Sequence, residues 1–198
     1  MLTIPAVVGL GAAWFTVQQG KESDRENTDN QRETALQAYI DKMSELLLHE
    51  NLRDSKPEYE VRKIARVRTL TVLSRLNKVR KWSVLQFLYE SDLINKSSLF
   101  NKSGLLDEDQ PIIDLNGADL SGAILSYVSL TGVRLSGANL SHAQLMDADL
   151  SGADLSDADL SDTDLRKANL TGAKASAEQL KQAKSLKGAT MPDGSIHE

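Results

Sequence analysis

The sequence predicts an α+β chain: an N-terminal helical region, then a short four-sided solenoid of stacked coils, then a capping helix. Three observations predict it. Leucine recurs at every fifth position over residues 113–172. Apolar residues between residues 30 and 93 follow the 3.6-residue helical period. Residues 1–20 carry no charged side chain.

The repeat dictates most. Its leucines are Leu115, Leu120, Leu125, Leu130, Leu135, Leu140, Leu145, Leu150, Leu155, Leu160, Leu165 and Leu170. At a background of roughly one leucine in ten, chance yields such a run with odds on the order of 10⁻¹². Two places before each leucine stands a small or β-branched residue: Ala at 118, 123, 138, 143, 148, 153, 158 and 168, and otherwise Ile113, Val128, Val133 or Thr163. Polar, charged or glycine residues take most of the remaining places. A five-residue step advances a helix by about 140° net and would scatter the leucines around its axis. A strand would alternate them between faces. A coil with four five-residue sides turns every leucine inward, and the small residue two places earlier leaves room for it. Residues 113–172 then make about three coils, stacked at about 4.8 Å spacing. Thr163 is expected to satisfy its hydroxyl on a backbone carbonyl.

Ala118-Asp119-Leu120-Ser121-Gly122, Ala138-Asn139-Leu140-Ser141, Ala148-Asp149-Leu150-Ser151-Gly152 and Ala153-Asp154-Leu155-Ser156 resemble the A-(D/N)-L-x-x units of the pentapeptide-repeat family. The resemblance implies a right-handed quadrilateral β-helix and says little of function, because members of one fold differ widely. A short solenoid needs caps, since its end coils expose leucine and unpaired backbone. Ser176 and Gln179 predict a capping box for a C-terminal helix through Leu180, Ala183 and Leu186, ended by Gly188, with a turn at Pro192-Asp193-Gly194. Residues 95–112 read as a linker and N-terminal cap.

The helical region spans residues 21–94. Asn30 and Glu33 predict a capping box for a first helix over 30–52, with Leu36, Tyr39, Ile40, Met43, Leu46 and Leu47 on its apolar face. A second helix is expected from Pro57 to Leu76, a turn at Asn77-Lys78, and a third helix opened by Ser83 and Gln86. The Leu36–Leu48 stretch, the Arg68–Ser91 stretch and the ending Ala189–Gly194 are similar to a bacterial subgroup of pentapeptide-repeat proteins with a hydrophobic N-terminus. That similarity favours a membrane anchor for residues 1–20, a single pass in the bacterial inner membrane, and Lys21, Arg25 and Arg32 after it, with no basic side chain before it, point to a cytoplasmic bulk. The apolar core of residues 2–17 spans about 24 Å as a helix and all 20 uncharged residues about 30 Å, against a hydrocarbon thickness of about 30 Å, so the span is marginal and a buried helix and a signal peptide stay open.

Charge and composition exclude several functions. Net charge is −5 over 198 residues, which argues against a nucleic-acid binder acting through bulk charge. Cysteine is absent, which removes disulfides, thiolate metal sites and a cysteine nucleophile. His49, His142 and His197 are too scattered for a zinc site. Asp157 to Ala168 lacks the glycine and glutamate of a calcium loop. No cofactor, metal or catalytic residue is expected, since a filled solenoid offers no cleft and no phosphate or dinucleotide motif is present.

Two charged sets remain. Asp119, Asp149, Asp154, Asp159 and Asp164 precede leucines, and Asp147, Asp157 and Asp162 follow them. Such a ladder is expected to be a solvated face. The alternative, implied by the resemblance because some family members are thought to engage DNA gyrase, is a DNA-mimicking regulator of a DNA enzyme. The second set is basic: Arg62, Lys63, Arg66, Arg68, Arg75, Lys78, Arg80 and Lys81, with no carboxylate among residues 61–81. It either pairs with the acidic stretch 21–60 or meets anionic lipid, an acidic partner or nucleic acid. Beside it, Trp82 marks an interface or fills a core. The sequence therefore predicts a non-enzymatic, membrane-anchored scaffold whose partner is a protein that the sequence does not identify.

Overall fold

The computed structural model describes residues 5–94 and 111–198, with side chains from residue 21 onward. Three helices lead. Helix α1 is Pro5–His49, α2 is Glu60–Arg75 and α3 is Lys78–Glu90. A single 3-10 turn at Leu52–Asp54 joins α1 to the segment before α2.

Helix α1 begins well before Asn30. The polar stretch 21–34 continues the helix, and Thr28 and Thr34 return their hydroxyls to the carbonyls of Asp24 and Asn30, four residues back. The expected capping box at Asn30 is thus helix interior. Helix α2 opens at Glu60, because the chain first turns at Lys56, whose carbonyl accepts the Tyr59 N–H at 3.0 Å. Helix α3 is capped by Asn77, whose side chain accepts the Arg80 N–H at 3.0 Å. Ser83 lies inside α3, and Gln86 donates to Glu90 instead of closing a capping box.

The repeat forms a four-sided coil. Each side contributes one parallel bridge to the side 20 residues further on: Asp119 with Asn139 and then Asp159, Ile124 with Gln144 and then Asp164, Ser129 with Asp149 and then Asn169, and Arg134 with Asp154 and then Lys174. Sides are short because two of every five residues are spent on a turn. In the first turn the Ala118 N–H donates to the Leu115 carbonyl at 3.0 Å, and the same bond closes every corner through Ala173. Each of the twelve leucines is fully buried. Thr163, in the inward row, donates its hydroxyl to the Leu140 carbonyl at 2.8 Å.

The third residue of each turn has positive φ, the mark of a type II turn. Glycine takes that place at six of twelve corners, and Tyr127, His142, Asp147, Asp157, Asp162 and Lys167 take the others. The left-handed conformation costs an L-residue roughly 1–2 kcal/mol. Tyr127, at φ +63° and 72% exposed, bears that cost with little burial to offset it.

The coil does not stop at residue 172. Ser176 and Gln179 do form a capping box, but the helix they open, α4, is the single turn Ala177–Leu180. The chain then returns to the coil, and Ser185 and Thr190 bridge Asp164 and Asn169 at a 21-residue step. One extra residue is absorbed in this last circuit. Leu186 is a half-buried coil residue rather than part of a helix, and Gly188 sits in a turn rather than at a helix end.

The helices cover the first coil, and one continuous apolar core runs from Leu36 of α1 to Leu180. Trp82 is half-buried against it. Residues 95–110, expected as linker and cap, lie outside the described residues. Pro111, Ile112 and Ile113 beyond them are buried, and the Ile113 N–H donates to the Leu93 carbonyl at 2.8 Å. The anchor expected over residues 1–20 is not supported: among the described residues no helix is long and apolar enough to cross a membrane. The sixteen-residue apolar stretch is too short by its own length, and the polar run from Gln18 onward does not extend it.

Two substitutions check this fold. Leu145→Asp places an unpaired carboxylate in the middle of the stack and is expected to abolish the cooperative melt of the repeat. Leu145→Ala should cost about 2–5 kcal/mol. A Leu145→Asp protein that melts like the parent would mean the leucines do not face inward. Tyr127→Gly is expected to raise the melting temperature by about 1–3 °C, as relief of the left-handed strain outweighs the entropy of glycine. Tyr127→Ala, which keeps the strain, should not.

Candidate interaction surfaces

The four-sided coil decides where each carboxylate points. Consecutive repeats occupy consecutive sides, so residues five apart face different directions and only residues 20 apart stack. Asp119, Asn139 and Asp159 share one side. Arg134, Asp154 and Lys174 share the next. Ile124, Gln144 and Asp164 form a third, and Ser129, Asp149 and Asn169 the fourth. The linear row of aspartates is thus divided among all four sides, and no side holds an unbroken carboxylate column. Asp147, Asp157 and Asp162 lie at corners. Asp162 faces His142 at 3.8 Å, both exposed.

These carboxylates have structural work. Each of Asp119, Asp149, Asp154, Asp159 and Asp164 accepts the backbone N–H two residues on, at 2.9–3.3 Å. Several also meet a cation: Lys174 stands 3.4 Å from Asp154, and Arg166 stands 2.6 Å from Asp164. Hydrogen bonds from Ser156, Ser161 and Arg166 hold the carboxyls of Asp154, Asp159 and Asp164 below the ordinary aspartate value. Burial pushes Asp119 and Asp149 upward, but bonds from Ser121 and Ser151 outweigh it, and both end lowered. Asn139 and Asn169 make the same turn bond without a charge, to Ser141 and Thr171.

The basic segment is divided as well, by the helical period of α2 and α3. Arg62 is buried and donates to the Ser55 hydroxyl at 3.1 Å. Arg66 reaches the solenoid, at 3.0 Å from the Asp114 carboxylate and 2.9 Å from the Asn116 carbonyl. Lys81, its side chain only 4% exposed, donates to Asp119 at 3.0 Å and to the Ser121 carbonyl at 3.2 Å. Arg80 turns back to α1 and grips Asp29 and Glu33, each at 2.8 Å. Lys63, Arg68, Arg75 and Lys78 are exposed and, among the described residues, have no ion pair.

Arg66 and Lys81 therefore clamp the bundle to the first coil rather than offering charge to a partner. The clamp and Asp114 escape a reading along the chain, since the partners lie 38 and 48 residues apart. One trace existed: Asp114 stands before Leu115 as Asp119 stands before Leu120, so the period already reached it. Between α1 and α2 lies a groove of about 260 Å³ that no sequence motif indicates, lined by Ala35, Ala38 and Tyr39 on one side and Val67, Arg68, Thr71, Val72 and Arg75 on the other. Among the described residues no group of His, Asp or Glu side chains is placed to hold a metal ion.

Comparison with known proteins bears on the repeat. The family model described as pentapeptide repeats matches residues 113–152 and 143–177, with 8 copies. Among solved structures, the chain is similar to HetL, a pentapeptide repeat protein involved in heterocyst differentiation regulation in the cyanobacterium Nostoc, at 43% identity over 45% of each chain and a TM-score of 0.25. It is similar to a pentapeptide repeat protein of the Arabidopsis thaliana thylakoid lumen, at 29% identity over 43% of this chain and 63% of that one, with a TM-score of 0.21. A second Nostoc pentapeptide repeat protein matches at 46% identity over 39% of this chain and 64% of its own, with a TM-score of 0.20. The chain thus spans less than two thirds of each of these relatives. No curated protein matches it.

The lowered carboxyls set a pH dependence. A folded-state pKa below the unfolded one contributes stability above the unfolded value, near 3.8, and loses it as pH falls through the folded value. Melting temperature should therefore be level from neutral pH to about pH 5 and fall steeply below about pH 4. A protein carrying Asp149→Asn, Asp154→Asn, Asp159→Asn and Asp164→Asn should show a shallower acid limb, because asparagine keeps the turn bond. An unchanged limb would mean these carboxylates do not hold the turns.

Proposed function

Residues 113–177 are a pentapeptide-repeat domain, and from that premise we propose that the protein is a non-enzymatic interaction module acting through its outer surfaces. The observation that carries this is the closed interior. The twelve leucines are buried along the coil axis, and carboxylates such as Asp149 and Asp154 accept turn bonds, so the inside of the coil offers no room in which paired acids and bases could be held at different pKa values. What the fold offers is four flat, polar sides of different charge and a helical bundle fixed to one end. In this reading the bundle covers the first coil, the circuit containing α4 covers the last, and both serve the rod between them.

The division of the carboxylates among four sides weighs against a DNA mimic, which needs them in rows at phosphate-like spacing. The expected outcome is that a large molar excess of the protein leaves gyrase supercoiling unchanged; inhibition or protection would favour the mimic instead. The interaction reading itself is tested by photo-crosslinking in cells, with a photoreactive residue placed at Ser129, Lys174, Asp159 or Gln144, one per side, and at Val67 on α2. At least one site should yield a discrete adduct. Absence of any adduct from all five would contradict an interaction role.

A further inference from the structure

We propose that the groove between α1 and α2 is the docking site for an acidic amphipathic helix of a partner protein. The proposal rests on the interaction reading above and names the chemistry that one surface would recognise. Helix α2 has two faces. Arg62, Arg66, Thr69 and Leu73 point toward the core and the solenoid. The opposite face carries Ile64, Val67, Arg68, Thr71 and Arg75, with Val67 60% exposed and Ile64 40% exposed. On α1, Asp29 and Glu33 meet α3 through Arg80, whereas Ala35 and Ala38 lie on the other side of the helix and form one wall of the groove. Helix α3 thus closes one side of the α1–α2 pair, and the groove is where a fourth helix would close the other.

Small residues make the wall low. Ala35 and Ala38, one turn apart, let a third backbone approach closely, and Val67 supplies the apolar edge such a helix would cover. The charge of the occupant follows from the rim. Arg68 and Arg75 line the groove, are seven residues apart on one helix face and have no ion pair among the described residues. Glu45, whose carboxyl feels the Arg68 charge, is held by Lys42 at 2.6 Å. Seven residues correspond to about 10.5 Å along a helix, the spacing of carboxylates one heptad apart on a partner. An apolar floor bounded by two cations at heptad spacing fits a helix with leucine-type residues on one face and glutamates beside them.

The test uses the full chain and a fluorescein-labelled synthetic 21-residue helix with leucine at a and d and glutamate at e and g, whose like charges keep it from pairing with itself. Fluorescence anisotropy should show saturable binding, weakened at least about tenfold by Val67→Glu and by the double change Arg68→Glu/Arg75→Glu. The solenoid change Asp154→Ser should have no effect. Val67, Arg68 and Arg75 are exposed and Asp154 is half-buried, and circular dichroism melts confirm that the variants fold. A peptide with lysine at e and g should not bind. The proposal is overturned if the glutamate helix does not bind, if Val67→Glu leaves binding intact, or if the lysine version binds equally. It is equally overturned if phosphatidylglycerol vesicles, and not the helix, are bound in a Val67-dependent way, since the face would then be a lipid surface. Adducts from the solenoid sides would persist in any of these cases, so the groove can fail while the interaction reading stands.

Discussion

Every inward leucine of the coil is followed two residues later by a corner where the backbone turns left-handed, and the rest of the molecule answers to that constraint. A five-residue side cannot keep its leucine inside unless the chain bends by a quarter turn before the next one. The bend is a tight turn closed by one backbone bond, with positive φ at all twelve corners. The small or β-branched residue two places before each leucine, the short bridges and the leucine-lined axis all follow from it. The corners also explain the acidic character of the coil. Aspartate and asparagine before leucine bond the amide just beyond it, and so hold the turn that the leucine requires.

The same geometry decides what the surface can be. Because each repeat turns onto the next side, sequence neighbours diverge and residues 20 apart converge. An acidic row in the sequence becomes four mixed sides, one with Arg134, Asp154 and Lys174 and another with Ser129, Asp149 and Asn169. At the N-terminal end the leucine stack is covered by α2 and α3. The apolar core is continuous between bundle and coil, and Arg66 and Lys81 reach carboxylates placed by the first coil. A basic stretch that looks like one patch along the chain serves four ends: the buried bond from Arg62 to Ser55, the clamp, the contact with α1, and a free outer face.

Much of this was legible in the sequence, for a physical reason that also marks the limit. Leu115 to Leu170 stand out because each occupies an obligatory inward place, so no substitution blurs the period. Thr163 was legible for the same reason, since a hydroxyl in that row has a backbone carbonyl within reach. The start of α1 was not, because residues 21–34 are polar all round and a helix without an apolar stripe leaves no period, while Asn30 and Glu33 imitate a cap. The last circuit was hidden by a single extra residue, which breaks the period after Leu170 and turned Leu186 and Gly188 into an apparent helix end. The clamp and the groove arise between segments far apart in the chain, and no local pattern reports them. The division of the carboxylate row among four sides was not legible, because a linear reading has no sense of the quarter turn.

The central claim is the 20-residue circuit, since the closed core and the division of charge both depend on it. The chain has no cysteine, so engineered pairs report on it without background. Ser129 and Asp149 bridge on adjacent coils, at a separation of about 4.8 Å that suits a disulfide. The double variant Ser129→Cys/Asp149→Cys should oxidise readily to an intramolecular disulfide, while Ser129→Cys/Asp154→Cys, one side further on, should stay reduced under the same conditions. Crosslinking of the second pair, or failure of the first in a folded protein, would contradict the four-sided coil.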